Sequence, residues 1–125
     1  MIIDTDILIW YMRGNEKAKK AISKSATFQI SVVTYMELVH GMRNKSELQE
    51  LRKAFRNWNT QVLFINEEIS SKALFFVERF FLSHSIELAD ALIAATAVSS
   101  GIPIFTGNDK LYRMIKEVEI KKFQP

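Results

Sequence analysis

Leu88-Ala89-Asp90-Ala91-Leu92-Ile93-Ala94-Ala95-Thr96-Ala97-Val98-Ser99-Ser100 constrains the fold more tightly than any other part of the chain. Alanine dominates it, Gly101 stands where a helix ends, and Pro103 prevents the helix from resuming. Its residues are apolar or small on nearly every face, which predicts a buried helix. Asp90 interrupts that apolar surface. A buried carboxylate is costly unless it is paired, hydrogen-bonded or bound to a metal, so the rest of the chain must supply what Asp90 faces.

The chain holds four aspartates, Asp4, Asp6, Asp90 and Asp109. Asp4 and Asp6 follow the first apolar run, and Asp109 follows the last strong one. Most glutamates, such as Glu47, Glu50, Glu67, Glu68 and Glu117, sit among Lys, Arg, Asn and Gln, as residues of solvated helix faces do. The aspartates therefore read as placed for a site rather than for solubility.

With 125 residues, one domain spanning 1–125 is expected, able to bury roughly two-thirds of its unfolded surface. A hydrophobic fraction of 48% and a charged fraction of 25% suit an ordinary soluble protein. No apolar run approaches the ~18 residues of a membrane span. Phe75–Leu82, the richest, is broken by Glu78 and Arg79. Met1-Ile2-Ile3-Asp4 lacks the basic region and apolar core of a secretory signal, so a cytoplasmic location is expected, with no membrane partner. The absence of cysteine excludes disulfides, zinc–thiolate sites and a Cys nucleophile. The net charge of +3 mildly favours a polyanionic partner, and equally suits an ordinary basic surface.

Outward from the Asp90 helix, apolar runs alternate with helical patterns. Met1–Ile3, Phe28–Val33, Val62–Ile65 and Ile104–Phe105 read as strands, and Val118–Ile120 as a possible edge strand. Helices are expected over Ile7–Met12, capped by Asp6, and over Glu16–Ser23 after a Gly14-Asn15 turn. Others are expected over Thr34–Arg43, Ser46–Asn57, from an Asn66 cap to about Leu82, and over Leu111–Lys116. Phe75, Phe76, Phe80 and Phe81 are expected to face inward, in the core or a dimer interface. His84–Ser85 reads as the break before the Asp90 helix. This alternation predicts an α/β domain with a mostly parallel central sheet flanked by helices. Ligands of such sheets bind beyond the carboxyl ends of the strands. Asp4, Asp6, Thr34, Glu37, Thr106, Asn108 and Asp109 should all lie at that edge, and the Asp90 helix must present its carboxylate there.

Carboxylates converging in a low-dielectric cleft cannot all stay ionised without a cation. Hard oxygen ligands with no His or Cys point to Mg²⁺ or Mn²⁺ rather than zinc. Such a cluster suits phosphodiester hydrolysis, with the cation activating water and neutralising the phosphate. No histidine base is required, and His40 and His84 read as surface or packing residues.

Ile2-Ile3-Asp4-Thr5-Asp6-Ile7-Leu8-Ile9, the helical Glu37 after the second strand, Asp90-Ala91-Leu92-Ile93-Ala94-Ala95-Thr96-Ala97, and Thr106-Gly107-Asn108-Asp109 together resemble the ordered motifs of PIN-domain ribonucleases. The likeness is greatest to the VapC toxins of type II toxin–antitoxin systems, and it spans the whole chain. It implies a single PIN-like domain and a Mg²⁺- or Mn²⁺-dependent endoribonuclease that cuts tRNA or another structured RNA. It also implies a cognate VapB-type antitoxin and a homodimer.

In that resemblance Asp4, Glu37 and Asp90 match the first three acids, and Thr5 and Thr106 match supporting hydroxyls. Asp6 stands where the family often has Asn or Ser, which brings an extra charge near the metal. Asn108 occupies the slot that other members often fill with Asp, and Asp109 is its neighbour; either could hold the fourth acidic position. The implied catalytic and metal-holding set is thus Asp4, Glu37, Asp90 and Asp109, supported by Thr5, Asp6, Thr106 and Asn108. Arg13, Lys17, Arg43 and Lys45 head the phosphate contacts, with Lys19, Lys20, Arg52, Lys53 and Arg56 behind them.

Plainer readings stand beside these. Asp6 suits a helix cap, Asp109 can cap the helix at Lys110, and Thr34-Tyr35-Met36-Glu37 matches a capping box. Glu87 lies three residues before Asp90 and reads as a solvated first-turn acid. Two other functions compete: a PIN-like module that binds RNA or protein without cutting, and a phosphatase with Asp4 as nucleophile. The latter is suggested by the similarity of Asp4-Thr5-Asp6 to the Asp-x-Asp of haloacid-dehalogenase-type phosphatases, although Leu8 stands where that family expects Thr or Val.

Overall fold

Ile2 and Ile3 are wholly enclosed, and as strand β1 (Ile2–Ile3) they form the middle of the sheet. The computed structural model describes residues 1–25, 27–83 and 86–125. The other strands are β2 (Gln29–Ser31), β3 (Gln61–Leu63), β4 (Ile104–Thr106) and β5 (Ile120–Lys122), in the order β3-β2-β1-β4-β5, and every pairing is parallel. Parallel strands joined by helices are covered on both faces, which is why the central ones are short apolar runs. Successive side chains of a strand point to opposite faces. Ile2 accordingly packs into one cluster with Phe76, Ile93, Tyr112 and Ile115, and Ile3 into another with Ile7, Phe28, Leu51 and Phe55.

The helices are α1 (Thr5–Met12), α2 (Glu16–Lys24), α3 (Val32–His40), α4 (Lys45–Asn57), α5 (Glu67–Phe80), α6 (Leu88–Ser100) and α7 (Asp109–Arg113). Asn15, Asn44 and Asn66 cap α2, α4 and α5, each side chain accepting from a backbone N–H three residues on. Gly101 ends α6 in the left-handed conformation, φ 66°, as expected. No helix among the described residues is long and apolar enough to cross a membrane.

The expected α/β architecture with a parallel sheet is the observed one, and the differences are local. Asp4, not Asp6, caps α1. Ser31 caps α3 through the Val33 N–H, so the helix opens at Val32 and takes residues 32 and 33 from the expected second strand. Thr34 therefore lies inside a helix, and the Thr34–Glu37 capping box does not form. The third strand ends at Leu63, leaving Phe64 and Ile65 exposed. The last helix begins at Asp109 rather than Leu111, and the final strand is Ile120–Lys122. Phe76 and Phe80 face inward as expected, but Phe75 and Phe81 are 56% and 66% exposed. They alternate with the buried pair because only one stripe of α5 meets α6. The break at His84–Ser85 lies outside the described residues.

Candidate active site

Strand order reverses at β1, whose neighbours are β2 and β4, and the crevice at such a switch point is where α/β sheets bind ligands. Asp4 and Thr106 close β1 and β4 there. The Thr106 hydroxyl donates to Asp4 Oδ2 at 2.8 Å, and the Thr5 N–H donates to Asp4 Oδ1 at 2.9 Å. Asp4 is only 7% exposed. Burial first, and then the charge of Asp6, push its carboxyl up to about 6 despite these donors.

Asp6 lies one residue into α1 and reaches across to β4, where the Gly107 N–H donates to its Oδ2 at 2.9 Å. A Cβ on Gly107 would stand 2.8 Å from that oxygen, so glycine is needed for the approach. Asp6 Oδ1 is buried without a partner, and burial raises the Asp6 carboxyl above its ordinary range.

Glu37 comes from α3. Thr5 and Thr34 share a 3.0 Å hydroxyl contact, and the Thr5 hydroxyl donates to Glu37 Oε1 at 2.8 Å. Thr34 and Glu37 are one helical turn apart, so both face α1. Asp90 enters from the first turn of α6 and is half-buried rather than enclosed. Burial raises its carboxyl, followed by the charges of Glu87 and Glu37. Leu88, two residues earlier, is 72% exposed, so the N-terminal turn of α6 emerges from the core that encloses Ala91 and residues 93–97. Glu87 occupies the N-cap position of α6 without capping through its side chain.

Asp109 has a different setting. Its carboxylate is 9% exposed and pairs with Arg113, one turn along α7, and with Lys122 of β5 at 3.9 Å. Asn108 precedes it at the N-cap position, its N–H donating to the Thr106 hydroxyl at 2.9 Å, with no side-chain cap. Asp109→Ala is expected to lose about 1 kcal/mol of stability, the scale of an ion pair with exposed cationic partners, and to lower Mn²⁺ affinity far less than loss of Asp4 or Asp90 would. Denaturant unfolding and calorimetric titration check the two halves separately.

Sequence reasoning missed Tyr112. This residue of α7 is fully enclosed, and its hydroxyl approaches Asp4 without meeting the geometry of a hydrogen bond. Burial first, and then the charges of Asp4, Asp90 and Asp6, push its hydroxyl up from the ordinary tyrosine range. Tyrosine, where phenylalanine would satisfy an apolar site beside Leu111 and Ile115, was the available signal.

Among the described residues, no Lys or Arg forms an ion pair with Asp4, Asp6, Glu37 or Asp90. No three of the acids are drawn together as a closed metal cage either. Uncompensated carboxylates repel one another, so an open arrangement is expected of the chain alone. The donor set still fits Mg²⁺ or Mn²⁺: all donors are hard oxygens, and Mg²⁺ keeps several waters, needing only one or two carboxylates. Raised carboxyls and the orphaned Asp6 oxygen are what a cation would relieve.

Of the expected phosphate contacts, Arg43 donates to Glu47 Oε2 from Nη2 at 2.7 Å and from Nε at 3.1 Å, and Arg13 lies over the Trp10 ring. Lys17 and Lys45 are exposed. Arg13 and Arg43 border a cavity of about 910 Å³ between α1 and α4, lined by Leu8, Tyr11, Leu51 and Trp58 and by none of Asp4, Asp6, Glu37 and Asp90. His40 is exposed at the end of α3, and His84 lies outside the described residues.

A family model described as PIN domain matches residues 1–117. Ribonuclease VapC1 of Methanocaldococcus jannaschii is 27% identical over 124 residues, covering 97% of this chain and 85% of that protein. A toxin–antitoxin complex from Klebsiella pneumoniae contains a chain that is 27% identical with a TM-score of 0.78, the match covering 94% of this chain and 93% of that one. VapBC-1 from nontypeable Haemophilus influenzae matches with a TM-score of 0.82 over 97% of this chain and 96% of that one; at 22% identity this is a likeness of fold.

Proposed function

Because the chain belongs to the PIN-domain family, we propose that it is a VapC-type endoribonuclease toxin that hydrolyses phosphodiester bonds of tRNA or another structured RNA with Mg²⁺ or Mn²⁺. The observation that carries this reading is the set of raised, uncompensated carboxylates, Asp4, Asp6 and Asp90, at the switch point of the sheet. Asp4 and Asp90 are the residues that would hold the cation, with Glu37 at the rim and Asp6 alongside. The bound cation supplies positive charge against the phosphate and makes water a better nucleophile.

The chain's own groups do the rest. Thr5 and Thr106 fix Asp4 from both sides, so its orientation is set before substrate arrives. Glu37 Oε1 is held by Thr5, which leaves Oε2 to accept a proton from the attacking water. Asp109 belongs to this set only indirectly, by anchoring α7 through Arg113 and Lys122. The exposed lysines of α2 and α4 supply sequence-independent attraction for the RNA backbone, which should weaken steeply with salt. The relatives found as toxin–antitoxin complexes support a VapB-type antitoxin as partner, and the apolar cavity beside α1 and α4 suits a segment of it. Exposed Leu74 and Phe75 on α5, with Phe81 just beyond its end, suit a homodimer. We place the protein in the cytoplasm, where its RNA substrate is found.

The test is antitoxin-free protein incubated with total tRNA in Mg²⁺, Mn²⁺ or EDTA. Discrete fragments that appear with either metal and vanish with EDTA are expected. Intact RNA from folded protein that also binds no Mn²⁺ would favour a module that binds without cutting.

A further inference from the structure

One polar group of the cleft has no task in that chemistry. The Tyr112 side chain is wholly enclosed and its hydroxyl has no partner, though burying an unpaired hydroxyl is unfavourable and phenylalanine would fill the same space. Neither packing nor helix formation in α7 calls for the oxygen. The charged groups that act on it are Asp4, Asp6 and Asp90, and an ionised carboxylate can accept but not donate. The Tyr112 hydroxyl is thus a buried donor in a site otherwise rich in acceptors.

We propose that Tyr112 is a positioning residue whose hydroxyl donates to the Asp4 carboxylate when a divalent cation is bound. It completes a cradle of three donors with the Thr5 N–H and the Thr106 hydroxyl. A carboxylate has about four lone-pair sites. Thr5 takes one on Oδ1 and Thr106 one on Oδ2. A third donor leaves one direction open, and that direction faces the cation. The position of α7 is itself secured: Asp109, three residues before Tyr112, is tied to Arg113 and Lys122, and Tyr112 packs in the same cluster as Ile115 and Ile93. This inference rests on the reading of Asp4 as a metal-holding residue.

Tyr112→Phe removes only the oxygen. Its Mn²⁺ affinity, read by calorimetric titration, is expected to fall about tenfold, the lower end of what loss of a ligand's hydrogen-bond partner costs. The denaturation midpoint of the metal-free variant should equal or exceed that of the native chain, because no formed hydrogen bond is lost. Affinity within twofold of the native chain, or a lowered midpoint with unchanged affinity, would overturn the proposal and leave the metal reading standing. A native chain that binds no Mn²⁺ would overturn both.

A second measurement needs no folded variant at position 112. The chain has three tyrosines, Tyr11, Tyr35 and Tyr112. With ¹³Cζ-labelled tyrosine, and Tyr11→Phe and Tyr35→Phe used for assignment, the Tyr112 resonance should move on addition of Mg²⁺. A resonance that stays fixed while Mg²⁺ binds would also overturn the proposal.

Discussion

Asp90→Asn is expected to lower RNA cleavage on the order of 10²- to 10³-fold, the scale of losing one preorganised electrostatic group, with the protein still folded. The substitution is nearly isosteric, and Asp90 sits in the first turn of α6, where an amide oxygen can accept from the Glu87 backbone as the carboxylate does. Burial and the charges of Glu87 and Glu37 already disfavour its ionised form. A neutral amide therefore removes repulsion, and the metal-free unfolding midpoint should stay equal or rise. What the amide cannot replace is a full negative charge facing a divalent cation, so Mn²⁺ affinity should fall together with the rate. Gel assays on tRNA, Mn²⁺ titration and thermal unfolding separate the three quantities. Cleavage at the native rate would exclude Asp90 from the site.

Stability of the metal-free protein is expected to rise as the pH falls from 7 toward 4, against the usual trend for carboxylates. The Asp4 carboxyl lies at about 6 in the folded chain and at 3.8 in its ordinary state. The folded state therefore binds this proton more tightly than the unfolded state. Stability from the group is fully present below 3.8 and lost as the pH rises through 6, a swing of about 3 kcal/mol at 1.36 kcal/mol per pKa unit. Asp6 and Asp90 are shifted in the same direction and add to the slope, whereas Glu47 and Glu117, held low by arginines, oppose it. Urea unfolding in EDTA across this range measures the swing. Asp4→Asn isolates its source: the variant should be the more stable protein at pH 7 and lose that advantage near pH 4. Saturating Mn²⁺ should flatten the native chain's profile, because the cation takes the place of the proton. A metal-free profile that falls steadily with acid would show that Asp4 is not the strained group described here.

The two expectations depend on the same geometry, and they show how far one-dimensional reading reached. The Asp90 helix, its Gly101 terminus and the Asn66 cap of α5 are local in origin and were legible, whereas Asn15, which reads as a turn residue, caps α2. Apolar runs alternating with helical patterns were sufficient for a parallel α/β sheet, because that periodicity reflects burial on both faces. Placement of Asp4, Glu37 and the Thr106 segment at one edge followed from strand direction alone. Boundaries were less legible where two local signals competed. Ser31 and Thr34 both suit a cap, and the chain uses Ser31, which turns Thr34 inward to meet Thr5. Asp4 and Asp6 present the same choice, settled when Asp4 caps α1 and Asp6 reaches Gly107 across the crevice.

What no local pattern contains is the partner of each charged group. Asp109 resembled a site acid by position, yet its neighbours in space are Arg113 and Lys122, and Lys122 comes from a strand 13 residues away. Nothing in the local sequence says what Tyr112 faces, and only the folded chain brings its hydroxyl to Asp4. Helix and strand propensities act over a few residues and are written in the chain. Desolvation and charge coupling depend on distances through space, so the raised carboxyls and the orphaned hydroxyl exist only in the folded molecule.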